Sequence, residues 1–151
     1  MVLSSIGRFW KILPPGIRLF IARSFKSRFT FSSAAIIRNP SGEYLLLRHL
    51  VRPFSEWGLP GGFIKRGEQA DEAIRREINE EIGIQLENLS LYSVRTVGRH
   101  IEVLFIADAS GSPQIRSLEI TDWGWFKAAN LPKEMSEAQK AMLGDIEKTF
   151  V

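Results

Sequence analysis

The spacing of apolar positions changes near residue 29. Before it, Leu3, Ile6, Trp10 and Leu13 recur at helical spacing, and so do Ile17, Phe20, Ile21 and Phe25. Pro14-Pro15-Gly16 separates the two runs, which therefore read as two short helical pieces broken at a turn. Beyond it, Phe29 to Arg38 is rich in strand formers and small residues, and Asn39-Pro40-Ser41-Gly42 makes a turn. Tyr44-Leu45-Leu46-Leu47 predicts a short, well-buried strand. Trp57 to Gly62 (WGLPGG) reads as an extended segment ending in a glycine turn. Residues 69–82 predict a helix whose buried side carries Ile74, Ile78 and Ile82 at i, i+4 and i+8. Two paired strands are expected over 88–97 and 100–108, a further strand over Ile120 to Phe126, and a closing amphipathic helix over 136–149. This alternation predicts an α/β fold in which a mixed β-sheet lies between α-helices. It also divides the chain into an N-terminal arm, 1–28, and a folded domain, 29–151.

Composition narrows the classes. The chain has 151 residues, 44% of them hydrophobic, which suits one domain with a real core. It has no cysteine, so disulfides, thiolate metal sites and cysteine nucleophiles are excluded. No apolar run approaches the roughly 20 residues that span a bilayer, and no secretory-signal pattern is evident. A soluble, cytoplasmic protein is the expectation.

The net charge of +3 is unevenly spread. Arg8, Lys11, Arg18, Arg23, Lys26 and Arg28 stand in the arm without a single acid. Removing those six from the 20 basic residues leaves 14 against 17 acids, so residues 29–151 carry −3. The basic character belongs to the arm and not to the domain. Its apolar faces are expected to pack on the domain or on a second copy in a homodimer. The alternative is a surface-seeking arm, drawn to an anionic membrane or to RNA. The acidic domain makes RNA the weaker partner, since a nucleic-acid binder carries its basic stripe on the folded body.

The segment with most chemistry is Gly61 to Ile84, GGFIKRGEQADEAIRREINEEIGI. Glu77, Glu80 and Glu81 fall at i, i+3 and i+4, so three carboxylates crowd one side of the helix. Like charges at that spacing repel, and the crowding is relieved by a cation. Oxygen clusters of this kind suit hard ions such as Mg²⁺. Taken alone, the three glutamates read rather as a solvated acidic face. Their surroundings are more specific. Gly62, Glu68, Arg76, Glu77, Ile78, Glu80, Glu81, Gly83 and Ile84 match the pattern G-x5-E-x7-R-E-U-x-E-E-x-G-U, U being aliphatic, at every defined position. With roughly 7% usage per residue type, a chance match in such a chain is on the order of one in ten million. The sequence resembles the Nudix hydrolase family, and the likeness extends from about residue 29 to 150, with Trp57 to Gly62 as the usual lead-in.

The resemblance implies a Nudix fold and roles for particular residues. Glu77 and Glu81 map as the principal metal ligands, Glu80 as a further or bridging ligand, and the Gly61 carbonyl as a main-chain ligand. Arg76 and Glu68 map as a supporting pair. The ion implied is Mg²⁺, with Mn²⁺ as a substitute. Glu119, in the loop before the last strand, maps as a general base, with Glu77 and Glu80 as rivals. Arg48 and Arg52 are candidates for substrate phosphates, and Trp57 for stacking on a base. His49 and His100 read as strand-end or surface residues, and Trp10, Trp123 and Trp125 as packing residues. The implied reaction is hydrolysis of a phosphoanhydride bond in a small nucleotide, either a nucleoside diphosphate linked to another moiety or a nucleoside triphosphate. Two alternatives stay open: a pyrophosphohydrolase of RNA 5′ ends, and a nucleotide-binding regulatory module that has lost catalysis. The intact Glu77, Glu80 and Glu81 speak against the latter.

Overall fold

A computed structural model describes residues 10–24, 28–51 and 55–149. Residues 10–12 are helical, and α1 (Pro15–Ser24) follows the break at Pro14. The positions Leu3, Ile6 and Phe25 of the expected arm helices lie outside the described residues. Then come β1 (Thr30–Ile37), β2 (Tyr44–His49), β3 (Trp57–Gly58), β4 (Gly61–Phe63), α2 (Ala70–Ile82), β5 (Gln85–Val97), β6 (His100–Ser110), β7 (Ile120–Phe126), a short 3₁₀ turn (Ala128–Asn130) and α3 (Glu137–Thr149). Among the described residues no helix is long and apolar enough to cross a membrane.

The strands form two sheets. One is mixed, with order β4-β1-β6-β5, and β1 runs parallel to β6 from Thr30–His100 to Ile37–Ala107. The other is antiparallel, with order β3-β2-β7. A bridge, Arg38–Tyr44, joins them across the turn that follows β1. Asn39 organises that turn, its Oδ1 accepting the N–H groups of Ser41 and Glu43 at 3.0 and 2.9 Å.

Two-sided burial explains the continuous apolar runs. Ala35 and Ile37 of β1, with Leu45 and Leu47 of β2, pack on Ile74, Ile78 and Ile82 of α2. Their neighbours Ala34, Ile36, Tyr44 and Leu46 face the opposite way, onto Leu143 and Ile146 of α3. Both central strands are therefore covered on two faces, and the alternation that marks a half-exposed strand is absent. The result is the expected α/β/α layering.

β5 begins at Gln85, three residues before the strand expected at 88–97. The cause is irregular pairing with β6, whose register slips between Glu87 and Ser90 and again between Leu91 and Ser93. Asn88 stands at φ +50°, so Glu87-Asn88 resembles a turn while the strand continues through it.

β4 is the element that shapes what lies beside it. It pairs antiparallel with β1, Ser33 opposite Gly62 and Ala34 opposite Gly61. Gly61 has φ +147°, and a Cβ there would run into the Ser33 carbonyl and the Ala34 Cα. Gly67 also has positive φ, +84°, but open space around it. Gly61→Ala is thus expected to lose about 1–3 kcal/mol of stability for the forced backbone, clearly more than Gly67→Ala, in chemical denaturation. Equal losses would show that conformation alone, and not the close approach of two strands, accounts for Gly61.

Candidate active site

α2 is well formed for local reasons. The Glu72 carboxylate accepts the Gln69 N–H at 3.1 Å at its start, with Asp71 beside it in the first turn. At its end Gly83 adopts the left-handed conformation, φ +68°, and its N–H meets the carbonyls of Ile78 and Asn79 at 3.1 Å. The loop before β7 then covers this terminus: Gln114 N–H bonds the Ile82 carbonyl at 2.8 Å and Arg116 N–H the Glu81 carbonyl at 2.9 Å. Both would otherwise be orphan acceptors. The Arg116 guanidinium lies where a Cβ on Gly83 would be, a cation at the negative end of the helix.

Arg76, midway along α2, ties the helix to the segment that precedes it. Its Nε and Nη2 grip Glu68 at 2.6 and 3.0 Å as a two-pronged fork. Nη1 donates to Glu77 Oε1 at 2.6 Å and to Glu80 Oε2 at 3.2 Å, and Nη2 also reaches the Phe63 carbonyl at 3.2 Å. Glu68 accepts the Lys65 N–H as well, at 2.8 Å. The Arg76 hydrogen bonds, with that backbone N–H, hold the Glu68 carboxyl down to about 2. Its carboxylate partners, Glu68 foremost, raise the Arg76 pKa further, so this cation never discharges.

Of the expected ligand residues, Glu77 is the most closely held. Its carboxylate occupies the space of the missing Gly62 side chain, 2.5–2.8 Å from where a Cβ would stand. Any side chain at 62 would expel it. Gly61 directs its carbonyl to the free edge of β4. Pro60 and Ile64 bond β1 through the Ala35 N–H and the Phe31 carbonyl. By the period-two alternation of a strand, the carbonyls of Gly61 and Phe63 turn away from β1. Phe63's is the one Arg76 takes. Glu81 is buried, 6% exposed, whereas the Glu80 side chain is 53% exposed. Among the described residues no three acidic or histidine side chains converge as a closed ligand set, and Glu77 and Glu80 are instead turned to Arg76. The donors nevertheless suit a hard divalent ion: all are oxygens, three lie along one helix edge, and one carboxylate sits in a cradle only glycine leaves open.

The remaining candidates are more dispersed. Glu119 lies at the entry to β7, its N–H on Ser117 Oγ at 3.1 Å and its carbonyl accepting the Leu50 N–H at 2.8 Å. It follows Arg116, whose N–H is bonded to Glu81, by three positions, so the backbones of Arg116 and Glu119 are at most about 11 Å apart. Arg48 is exposed and engaged by Glu56 at 2.6 and 3.0 Å. Trp57 is half-buried, edge-on to Phe126 with ring centroids 5.1 Å apart. Arg52 lies outside the described residues. His100 has both ring nitrogens engaged, by Thr30 Oγ1 at 2.7 Å and Ser32 Oγ at 2.8 Å. A cavity of about 840 Å³ lies at the far end of β1, among Arg38, Tyr44, Asp108 and Trp125, and contains none of the glutamate cluster. Sequence reasoning missed Arg116, Gln114 and the Phe63 carbonyl, because their contributions are backbone contacts or packing with no residue-type signature.

A three-layer α/β/α domain with a glycine-cradled glutamate helix, braced by one arginine, defines the class. The NUDIX domain model matches residues 28–145, and the chain belongs to this family. An ADP-ribose pyrophosphatase of Methanocaldococcus jannaschii is 33% identical over 103 residues, 64% of this chain and 61% of that protein. An 8-oxo-dGDP phosphatase of Mus musculus is 30% identical over 125 residues, 79% of this chain and 38% of that protein. The chain thus spans less than two thirds of the length of these relatives. A crystal structure of a MutT NUDIX hydrolase from Burkholderia pseudomallei superposes with a TM-score of 0.71 at 29% identity, over 79% of this chain and 98% of that one.

Glu68 supplies a test of the brace. A carboxyl held at about 2 in the folded protein, against an ordinary 4.5, stabilises the fold above pH 4.5, and that contribution is lost as pH falls towards 2. Glu68→Gln is expected to flatten the acid limb of the stability curve between those values, measured by denaturant melts at each pH. An unchanged limb would mean that Glu68 is not held by Arg76 in solution.

Proposed function

We propose that this chain hydrolyses a phosphoanhydride bond in a nucleoside diphosphate linked to another moiety, or in a nucleoside triphosphate, using Mg²⁺ or in its place Mn²⁺. The observation that carries the reading is the Glu77 carboxylate seated against Gly62, beside the outward-turned Gly61 carbonyl and on one helix edge with Glu80 and Glu81. In this reading Glu77, Glu81 and the Gly61 carbonyl hold the ion, and Glu80 is a further or bridging ligand. A bound Mg²⁺ supplies neutralisation of phosphate oxygens and activation of water near neutral pH. The protein residues position the groups around it. Arg76 keeps the glutamate edge and the loop at 64–68 in one arrangement through Glu68 and Phe63. Glu119 takes the proton of the attacking water, with Glu77 or Glu80 as alternative bases. The new P–O bond forms as the bridging oxygen leaves with a phosphate or nucleoside phosphate.

Substrate contacts follow the same logic. Arg48 meets a phosphate by exchanging Glu56 for it, an exposed pair that costs little to open. Arg52 is its partner in this role, and Trp57 keeps part of its surface available for a base. ADP-ribose, the substrate named for the Methanocaldococcus jannaschii relative, is a nucleoside diphosphate joined to a sugar, which supports the first substrate form. The 5′ end of RNA is the second reading, disfavoured by the −3 balance of the domain.

Glu77→Gln and Glu81→Gln are each expected to lower kcat at least a hundredfold, since each keeps the shape of the side chain but loses its charge. The measurement is release of phosphate or nucleoside phosphate from a panel of nucleotides with Mg²⁺ or Mn²⁺. Turnover near wild type in both variants would remove them from the ion site.

A separate reading concerns the arm. Ile12, Ile17 and Phe20 are 79%, 47% and 71% exposed, and the first 28 residues carry six positive charges and no acid. Apolar surface bordered by basic side chains suits an anionic membrane surface. Full-length protein is expected to bind anionic vesicles, more weakly as salt rises, and protein lacking residues 1–28 to stay unbound with its hydrolysis intact. A deletion that changes oligomeric state while vesicle binding is absent in both forms would assign the arm to homodimer contact instead.

A further inference from the structure

Ser33 is fully buried in β1, and its hydroxyl has no hydrogen-bonding partner among the described residues. Buried hydroxyls are satisfied in the great majority of cases, so one that is not asks for a reason. Its place supplies one. Residues of β1 two and four positions on, Ala35 and Ile37, face α2, so the Ser33 side chain faces α2 as well. Directly opposite on β4 stands Gly62, whose absent side chain leaves the space that the Glu77 carboxylate fills, at 2.5–2.8 Å from the Cβ position. Side chains facing each other across two strands have Cβ positions about 5 Å apart. The Ser33 hydroxyl and the half-buried Glu77 carboxylate therefore occupy neighbouring places in the layer between β1 and α2.

In the arrangement described, Glu77 Oε1 is drawn to Arg76 Nη1 at 2.6 Å. A carboxylate accepts at about four lone-pair sites, and a serine hydroxyl turns freely to donate to one of them. We propose that Ser33 is a positioning residue, whose hydroxyl donates a hydrogen bond to the Glu77 carboxylate when that carboxylate turns from Arg76 to a divalent ion. The hydroxyl is then idle in the metal-free protein and engaged in the loaded one. It orients a ligand from the strand side, while Arg76 remains anchored by its fork on Glu68. This inference rests on the metal reading given above.

The metal-free and metal-loaded proteins should respond to Ser33→Ala in opposite ways. Removing an unsatisfied buried hydroxyl leaves the melting temperature of the metal-free protein unchanged or raises it. Removing a hydrogen bond to a metal ligand weakens the affinity for Mn²⁺ about tenfold or more, read by calorimetric titration of the metal-stripped full chain. An unchanged Mn²⁺ affinity would overturn the proposal, and so would a joint fall in affinity and in metal-free melting temperature, which is the mark of a packing role. A wild-type protein that takes up no Mn²⁺ at all would instead fail the metal reading, and this inference with it.

Discussion

The guanidinium of Arg76 is the charge around which the site is assembled. Glu77, Glu80 and Glu81 lie on one edge of α2, and without a counter-charge that edge repels itself. Arg76 answers with a rigid set of donors, two on Glu68, one shared by Glu77 and Glu80, and one also reaching the Phe63 carbonyl. A lysine could not replace it, since a single ammonium has no planar fork to spread over a carboxylate, a helix edge and a strand end at once. Through this one side chain, β4, the loop after it and α2 hold a common geometry.

Close backbone approach is the second constraint, and glycine makes it. Gly61 lets β4 press on β1, Gly62 leaves room for the Glu77 carboxylate, and Gly83 ends α2 and makes way for Arg116. The helix is consequently held at its middle by Arg76 and at its C-terminal end by the loop carrying Gln114 and Arg116. Holding it at these two points limits how far the carboxylates can drift, which any arrangement of ligands or bases requires. The same loop leads directly to Glu119, so the covering of α2 and the position of that residue are one structural fact.

The arm differs in kind from the domain. Its charge is of one sign, and Ile12 and Phe20 remain largely exposed. The domain, by contrast, buries both faces of its central strands between α2 and α3. Among the described residues, the two buried core clusters are drawn from the second part alone.

The sequence by itself determined the layering, the helix with its isoleucine stripe and the family pattern, because periodicity and a spaced set of identities survive in one dimension, and the resemblance carried by that pattern implied the Glu68–Arg76 pair. It determined less at β5, where Asn88 interrupts the alternation and hides three residues of strand. Tertiary structure alone decided which groups meet. Nothing in the order of residues says that Ser33 stands opposite Gly62, that Arg116 lies over Gly83, or that Arg48 is already engaged by Glu56. Strand register and loop docking set those contacts, and both arise from how distant segments pack, so residues of ordinary type acquire their role only when the chain is folded.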